Sequence, residues 1–121
     1  MNASPTPSRR KRLRGGLWGS IVGDALGVPV EFQDYAILRA NPVTDMPSGG
    51  THRQPSGCEE CVLKAVNLGG DTDTTGCAAG GLAGVHCGVD NVPEKGRRSV
   101  WRQDKVASLF NRFAAMLPER P

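Results

Sequence analysis

The residues of this 121-residue chain best suited to chemistry are two carboxylates and their neighbouring hydroxyls in the segment NLGGDTDTTG, residues 67–76. Asp71 and Asp73 stand two positions apart, directly after a glycine pair and ahead of a predicted helix. Carboxylate and hydroxyl oxygens are hard ligands, which suit Mg²⁺, Mn²⁺ or Ca²⁺ better than Zn²⁺. The glycines allow the loop to curl, so that Asp71, Asp73 and Thr74 can face one ion.

A plainer interpretation of the same segment is the start of a helix. Asp and Thr are common N-cap residues, because their side chains accept hydrogen bonds from the first free backbone N–H groups. A cap needs only one of these side chains, so several oxygens together favour a metal site. Spacing alone leaves both interpretations open. Two carboxylates this close also predict that at least one pKa is raised when no cation is bound.

The four cysteines and two histidines offer a second candidate site. A Zn²⁺ site is conceivable from the C-x₂-C pair Cys58 and Cys61 with Cys77, Cys87, His52 and His86. Cys77 and Cys87 are ten positions apart and do not form a second close pair. A redox pair is a further interpretation, although no strand–helix–strand pattern surrounds the C-x₂-C. We expect buried, reduced cysteines instead.

Positive charge is concentrated at the N-terminal end. The chain carries 15 Lys and Arg against 12 Asp and Glu, a net charge of +3. Residues 1–14 contain five of the basic residues and no acidic one, so the rest of the chain is close to neutral. We expect residues 1–14 to be a disordered basic arm, which is either a solvated tail or a nucleic-acid-binding segment. Since no apolar run reaches membrane-spanning length and no secretory signal is evident, we expect a cytoplasmic protein without membrane contact.

The spacing of apolar residues predicts an all-α fold of about four to five helices, with no strand-like alternation. The segments expected to be helical are 15–26, 32–39, 58–68, 72–87 and 100–117. Residues 40–57 are expected to form a long loop, and 89–98 a shorter one. The glycine-rich segments 15–27 and 76–88 predict helices that pack very closely against neighbours. Trp18 and Trp101 are predicted to anchor the core.

Two blocks of sequence, GSIVGDALGVPVEF at 19–32 and AVNLGGDTDTTGCAAGGLAGVHCGVDNVPEK at 65–95, resemble the ADP-ribosylglycohydrolases. The resemblance implies an all-α fold, a dinuclear Mg²⁺ or Mn²⁺ site, and hydrolysis of the bond between ADP-ribose and a protein side chain or small acceptor. It implies that Asp71, Asp73 and Thr74 are metal ligands and that Glu31 lies near the substrate as a catalytic residue.

The sequence also departs from this family. Members carry an earlier metal motif, a Ser or Thr followed by two adjacent Asp and a Thr, soon after a loop resembling GTHRQPSG at 50–57. This chain has no adjacent Asp pair, and Gly57 runs directly into the helix that leads to the second motif. The resemblance therefore implies a single shortened domain over residues 15–121, with the central part of the fold missing.

We therefore expect an ADP-ribosylglycohydrolase-like protein whose metal-dependent hydrolysis of ADP-ribosylated proteins or small ADP-ribose conjugates is weak or lost. Self-association of this chain would be a way to complete the site between two copies. One alternative is an inactive relative that retains metal or partner binding. The other alternative is nucleic-acid binding through the basic arm, which the nearly neutral body of the chain disfavours.

Overall fold

The computed structural model describes residues 5–44 and 57–118. Within these ranges the fold is all-α, as predicted, and contains no strand. Its α-helices are α1 (Arg9–Gly27), α2 (Tyr35–Ala40), α3 (Gly57–Val66), α4 (Thr72–Cys87), α5 (Glu94–Arg98) and α6 (Gln103–Ala115). Two 3-10 turns, Val28–Val30 and Val89–Asn91, follow α1 and α4. Of the loop expected at 40–57, residues 41–44 have no regular structure and 45–56 lie outside the described residues.

Helices α1 and α4 form the centre of the fold and lie antiparallel with their backbones in contact. Glycines every four residues on α1 face small residues every four residues on α4. The facing pairs are Gly15 with Gly84, Gly19 with Gly80, Gly23 with Gly76, and Gly27 with Thr72. A Cβ atom at Gly19 would lie 2.8 Å from the carbonyl carbon of Gly80, a separation that real Cβ atoms essentially never show. The close packing predicted for both glycine-rich helices is confirmed, and each helix is the other's neighbour.

The hydrophobic core lies beside this helix pair. Its buried members are Trp18, Val22, Leu26, Leu63, Val66, Val89, Val92 and Phe110. The rings of Trp18 and Phe110 pack edge to face, with centroids 5.3 Å apart and planes at 84°. This arrangement is the favoured geometry for an aromatic pair, and it fastens α6 to α1.

The prediction that residues 9–14 are disordered is wrong, because α1 begins at Arg9. The Ser8 side chain caps the helix by accepting a hydrogen bond from the backbone N–H of Lys11 at 3.3 Å. The basic side chains then reach the ends of other helices. Arg10 donates to the carbonyl of Leu117 at 3.1 Å and Arg12 to that of Val85 at 3.1 Å. Val85 lies in the last turn of α4 and Leu117 two residues beyond the end of α6, where cations are favourable.

The segment 89–102 also differs from its prediction. It contains the Val89–Asn91 turn and the short helix α5 instead of an irregular loop. Helix α6 begins at Gln103, three residues later than expected, because Arg102 has a left-handed φ of 57° and interrupts the helix. Trp101 therefore lies outside the apolar stripe of α6 and is 79% exposed, with the Arg102 guanidinium 4.3 Å from its ring centre. Its prediction as a core residue is wrong.

The expectation of buried, reduced cysteines is wrong in two respects, because none of the four is buried and two of them are oxidised. Cys58 near the start of α3 and Cys87 at the end of α4 form a disulfide, with Cα atoms 6.6 Å apart. Consecutive antiparallel helices bring the two residues together although 29 positions separate them. Cys61 is exposed and Cys77 half-buried, both as free thiols. The disulfide removes Cys58 and Cys87 from the conceivable zinc ligands, and His52 lies outside the described residues.

Candidate functional site

The candidate site lies where the end of α1 meets the start of α4. The hydroxyl of Thr72, a fully buried residue, donates to the carbonyl of Gly27 at 2.7 Å. Any Cβ at Gly27 would lie within 2.6 Å of the Asp73 backbone nitrogen. Glycine at position 27 therefore allows α1 to end directly against the first turn of α4, where the acidic motif stands.

A second connection holds the segment after α1 against the glycine pair ahead of α4. The N–H of Phe32 donates to the carbonyl of Gly70 at 2.7 Å, and the N–H of Gly70 donates to the carbonyl of Gln33 at 3.1 Å. Gly69 and Gly70 have φ of 82° and 70°, which glycine adopts without strain. Phe32 also has a left-handed φ, 62°, which is costly for a residue with a side chain. These constraints fix Glu31 opposite the acidic motif.

The structure brings Glu31, Asp71 and Asp73 together, with one carboxylate oxygen from each lying within 4.8 Å of the other two. Glu31 and Asp73 are half-buried and Asp71 is exposed. The Oδ1 atom of Asp73 is buried and has no hydrogen-bond partner within residues 5–44 and 57–118. We call these three residues the carboxylate cluster. A buried anionic oxygen without a donor is costly, and a bound cation would satisfy it.

The carboxylate cluster perturbs the pKa values of its members in opposite directions. The pKa of Glu31 is raised, first by loss of solvent around it and then by the negative charge of Asp73. The pKa of Asp73 is lowered, first by a hydrogen bond with Asp71, because Asp73 accepts hydrogen bonds that stabilise its ionised form. The sequence predicted a raised pKa within the Asp71 and Asp73 pair, whereas the pKa of Asp73 is lowered and the raised pKa is that of Glu31.

The geometry also bears on the capping interpretation of the motif. Asp71 occupies the N-cap position of α4, but its side chain makes no capping hydrogen bond. Its carboxylate joins the cluster instead. Thr74 is exposed in the first turn of α4, and its backbone N–H helps to lower the pKa of the Asp73 carboxyl. Thr74 thus stands beside the cluster with its hydroxyl on the same turn as Asp73.

Sequence reasoning missed Asp24, an exposed residue in the last two turns of α1. Its negative charge adds a small upward contribution to the pKa of Glu31 and partly opposes the lowering of the pKa of Asp73. Asp24 is therefore a fourth carboxylate within electrostatic reach of the cluster. The available signal was its place in the GDALG segment, one helical turn before Gly27, at the end of α1 that meets the acidic motif.

Comparison with known proteins identifies the family. The model of the ADP-ribosylglycohydrolase family matches residues 5–58 and 51–120. The ADP-ribosylhydrolase ARH3 of Danio rerio is 36% identical over 67 residues, which are 55% of this chain and 18% of the relative. The ADP-ribosyl-[dinitrogen reductase] glycohydrolase of Rhodospirillum rubrum is 54% identical over 35 residues, 29% of this chain and 12% of the relative. No solved structure matches significantly.

A third relative is the ADP-ribosylarginine hydrolase Tri1 of Serratia proteamaculans, 30% identical over 60 residues, which are 50% of this chain and 16% of that protein. The chain thus spans less than a fifth of the length of each of these relatives. Among the helices of the described ranges, none has the length and apolar character that a membrane span requires. Because the family model matches both halves of the sequence, the chain belongs to the ADP-ribosylglycohydrolase family.

Proposed function

We propose that this chain binds Mg²⁺ or Mn²⁺ at the carboxylate cluster and uses that site for slow hydrolysis of ADP-ribose conjugates. The observation that carries the proposal is the convergence of three carboxylate oxygens within 4.8 Å. One of the three residues, Asp73, is half-buried, and its Oδ1 has no hydrogen-bond partner among the described residues. The relatives named above are hydrolases of ADP-ribose linked to proteins or to arginine, which supports the substrate class.

The donor set fits a hard divalent cation. Asp71 and Asp73 offer carboxylate oxygens and Thr74 a hydroxyl oxygen, all of the type that Mg²⁺ and Mn²⁺ prefer. Loss of solvent, followed by the negative charge of Asp73, raises the pKa of Glu31, and a bound cation would offset the charge repulsion. When bound, a divalent ion supplies positive charge that orients hydroxyl groups and polarises water.

Glu31 is proposed as the residue that transfers a proton during cleavage of the glycosidic bond. Its carboxyl has a raised pKa, so it holds a proton at a pH where an ordinary carboxyl is ionised. It is held by the short segment after α1, on the opposite side of the cluster from Asp71 and Asp73. An acid or base positioned in this way contributes about 10²- to 10⁴-fold to a rate.

Weak turnover follows from the motif that the sequence lacks. The resemblance implies ligands from two acidic motifs, and no adjacent Asp pair stands in these 121 residues. Two ions at the separation used by two-metal enzymes need ligands from both sides of a cleft. A single acidic motif is therefore expected to hold one ion weakly and to position the substrate less well than the relatives do.

The experiment is release of ADP-ribose from an ADP-ribosyl-arginine conjugate, with Mg²⁺, Mn²⁺ or chelator. We expect slow release that requires the metal and is lost in Glu31→Gln and in Asp73→Asn. Glu60→Gln is the charge-matched control, since Glu60 is exposed on α3, pairs with Lys64 and lies outside the cluster. Release that survives chelation or Asp73→Asn would refute the assignment of the site.

The inactive relative is a second candidate, favoured by the absence of the first metal motif. It predicts metal binding at the same cluster with no ADP-ribose release. Detectable metal binding together with undetectable release by the unmodified chain would therefore refute turnover and support this candidate. Self-association, the partner proposed from sequence, is tested separately by sedimentation at several protein concentrations.

A further inference from the structure

A cavity of about 270 Å³ lies between α1, α5 and α6, away from the carboxylate cluster. Its lining is polar and includes Arg14, Arg97, Arg98, Gln103, Asp104 and Asn111, with Trp18 from the core. Arg14 precedes the cluster end of α1 by thirteen residues, which at the helical rise is roughly 20 Å along the axis. The cavity is therefore a separate feature of the fold, and it does not depend on the proposed hydrolysis.

Two arginines that line this cavity each have one N–H group without an acceptor in the described part of the chain. The Nε atoms of Arg14 and Arg97 are both buried and have no hydrogen-bond partner among the residues that the structure describes. A buried donor without an acceptor is costly, and more so when the group is charged. Both guanidinium groups also help to lower the pKa of the same carboxyl, Asp90, after the larger effect of Lys11.

The acidic residues near the cavity do not satisfy these two cations. Glu94 is engaged by Arg98, with Oε1 and Nη2 2.6 Å apart. Asp90 is engaged by Lys11 at 2.5 Å. Among the described residues, that leaves Asp104 as the lining carboxylate outside an ion pair, against the charges of Arg14 and Arg97, which also act on Asp90. The lining thus keeps a net positive charge.

We propose that this cavity is a binding site for a small oxyanion, a single phosphate group, held between Arg14 and Arg97. Planar guanidinium groups suit the oxygens of a phosphate, which can accept from both at once. The amides of Gln103 and Asn111 add neutral donors on the α6 side. The volume lies just below the 300–1,000 Å³ typical of pockets for drug-sized ligands, so it fits a phosphate group, and any nucleoside attached to that phosphate would lie outside the cavity.

The test is the thermal stability of the full chain in sodium phosphate and in sodium chloride at equal ionic strength, followed by calorimetric titration with phosphate. We expect phosphate to raise the melting temperature and to bind one ion per chain. Arg14→Gln and Arg97→Gln should each weaken phosphate binding by about tenfold or more, the value of a charge-assisted hydrogen bond. Arg112→Gln, an exposed change on α6 with the same loss of charge, should leave the affinity nearly unchanged.

A second readout separates ligand binding from a structural role. Because their Nε donors are unsatisfied, Arg14→Gln and Arg97→Gln should leave the melting temperature without phosphate unchanged or higher. Asp104→Asn should tighten phosphate binding, since it removes the competing acceptor. A titration with AMP distinguishes a site for free phosphate from a site for a phosphate carried by a nucleotide. Binding of phosphate alone or of both ligands supports the site. Equal melting temperatures in phosphate and chloride, or equal weakening by Arg112→Gln, would overturn the proposal.

Discussion

Replacing Gly80 by alanine tests whether the contact between α1 and α4 organises the fold. The new Cβ would lie 2.8 Å from the carbonyl carbon of Gly19 and closer still to its oxygen, while ordinary contact begins at 3.4 Å. The helices must therefore separate by at least about 0.6 Å, and neither side has a flexible group that can move aside. Overpacking typically costs about 1–3 kcal/mol of stability. Because the clash here is with backbone atoms, we expect Gly80→Ala to lower the free energy of unfolding by about 3 kcal/mol. That is a large part of the roughly 5–15 kcal/mol that stabilises a domain.

The adjacent residue provides the control. A Cβ at Gly81 meets the Ser20 hydroxyl, a side chain that can rotate, and the nearest backbone atom is 3.8 Å away. Gly81→Ala also gains up to about 1 kcal/mol of helix propensity, so we expect little change or a small increase in stability. Urea denaturation followed by circular dichroism measures both variants. Equal stabilities for Gly80→Ala and Gly81→Ala would refute the backbone contact between α1 and α4.

Three further predictions follow from other parts of the structure. Phe32→Gly should stabilise the chain by about 1 kcal/mol by relieving its left-handed φ, and Phe32→Ala should not, which urea denaturation of both variants checks. Reduction of the Cys58–Cys87 disulfide should lower the free energy of unfolding by about 3 kcal/mol in the chain-entropy model. Thiol titration of the oxidised, unfolded chain should count two thiols, and a count of four would contradict the disulfide. Without metal, stability should fall as pH rises from 4.5 through the raised pKa of Glu31, because the native state holds that proton longer than the unfolded chain does. Melting temperatures across pH should show this fall reduced in Glu31→Gln, and identical profiles would contradict it.

Most helices of this fold can be predicted from local sequence signals. The predictions that were wrong concern segments whose conformation depends on tertiary contacts. Helices α3, α4 and most of α1 follow from apolar spacing and glycine breaks. The start of α1 could not be predicted in this way, because a run of like charges is typical of a disordered segment. It is helical here, where backbone carbonyls of Val85 and Leu117 accept hydrogen bonds from its arginines. The exposure of Trp101 depends on the left-handed φ of Arg102, and no local sequence pattern predicts that φ.

The residues of the candidate site were named from the sequence, whereas their arrangement came from the fold. Spacing indicated Asp71, Asp73 and Thr74, and the family resemblance indicated Glu31. Their convergence depends on Gly27 against Thr72 and on the hydrogen bonds that join Phe32 and Gln33 to Gly70, which are long-range contacts. Asp24 was missed for the same reason, since its effect on the cluster is electrostatic and arises only when α1 ends beside α4.

The central claim is that the carboxylate cluster binds a divalent cation, and calorimetric titration with Mn²⁺ tests it most directly. We expect the unmodified chain to bind one ion weakly. Even residues that only support metal ligands contribute about 10- to 100-fold to metal affinity, so loss of a ligand in Asp73→Asn should weaken binding by at least about tenfold. Glu60→Gln should bind as the unmodified chain does. Absence of Mn²⁺ binding by the unmodified chain, or binding that Asp73→Asn leaves intact, would contradict the account.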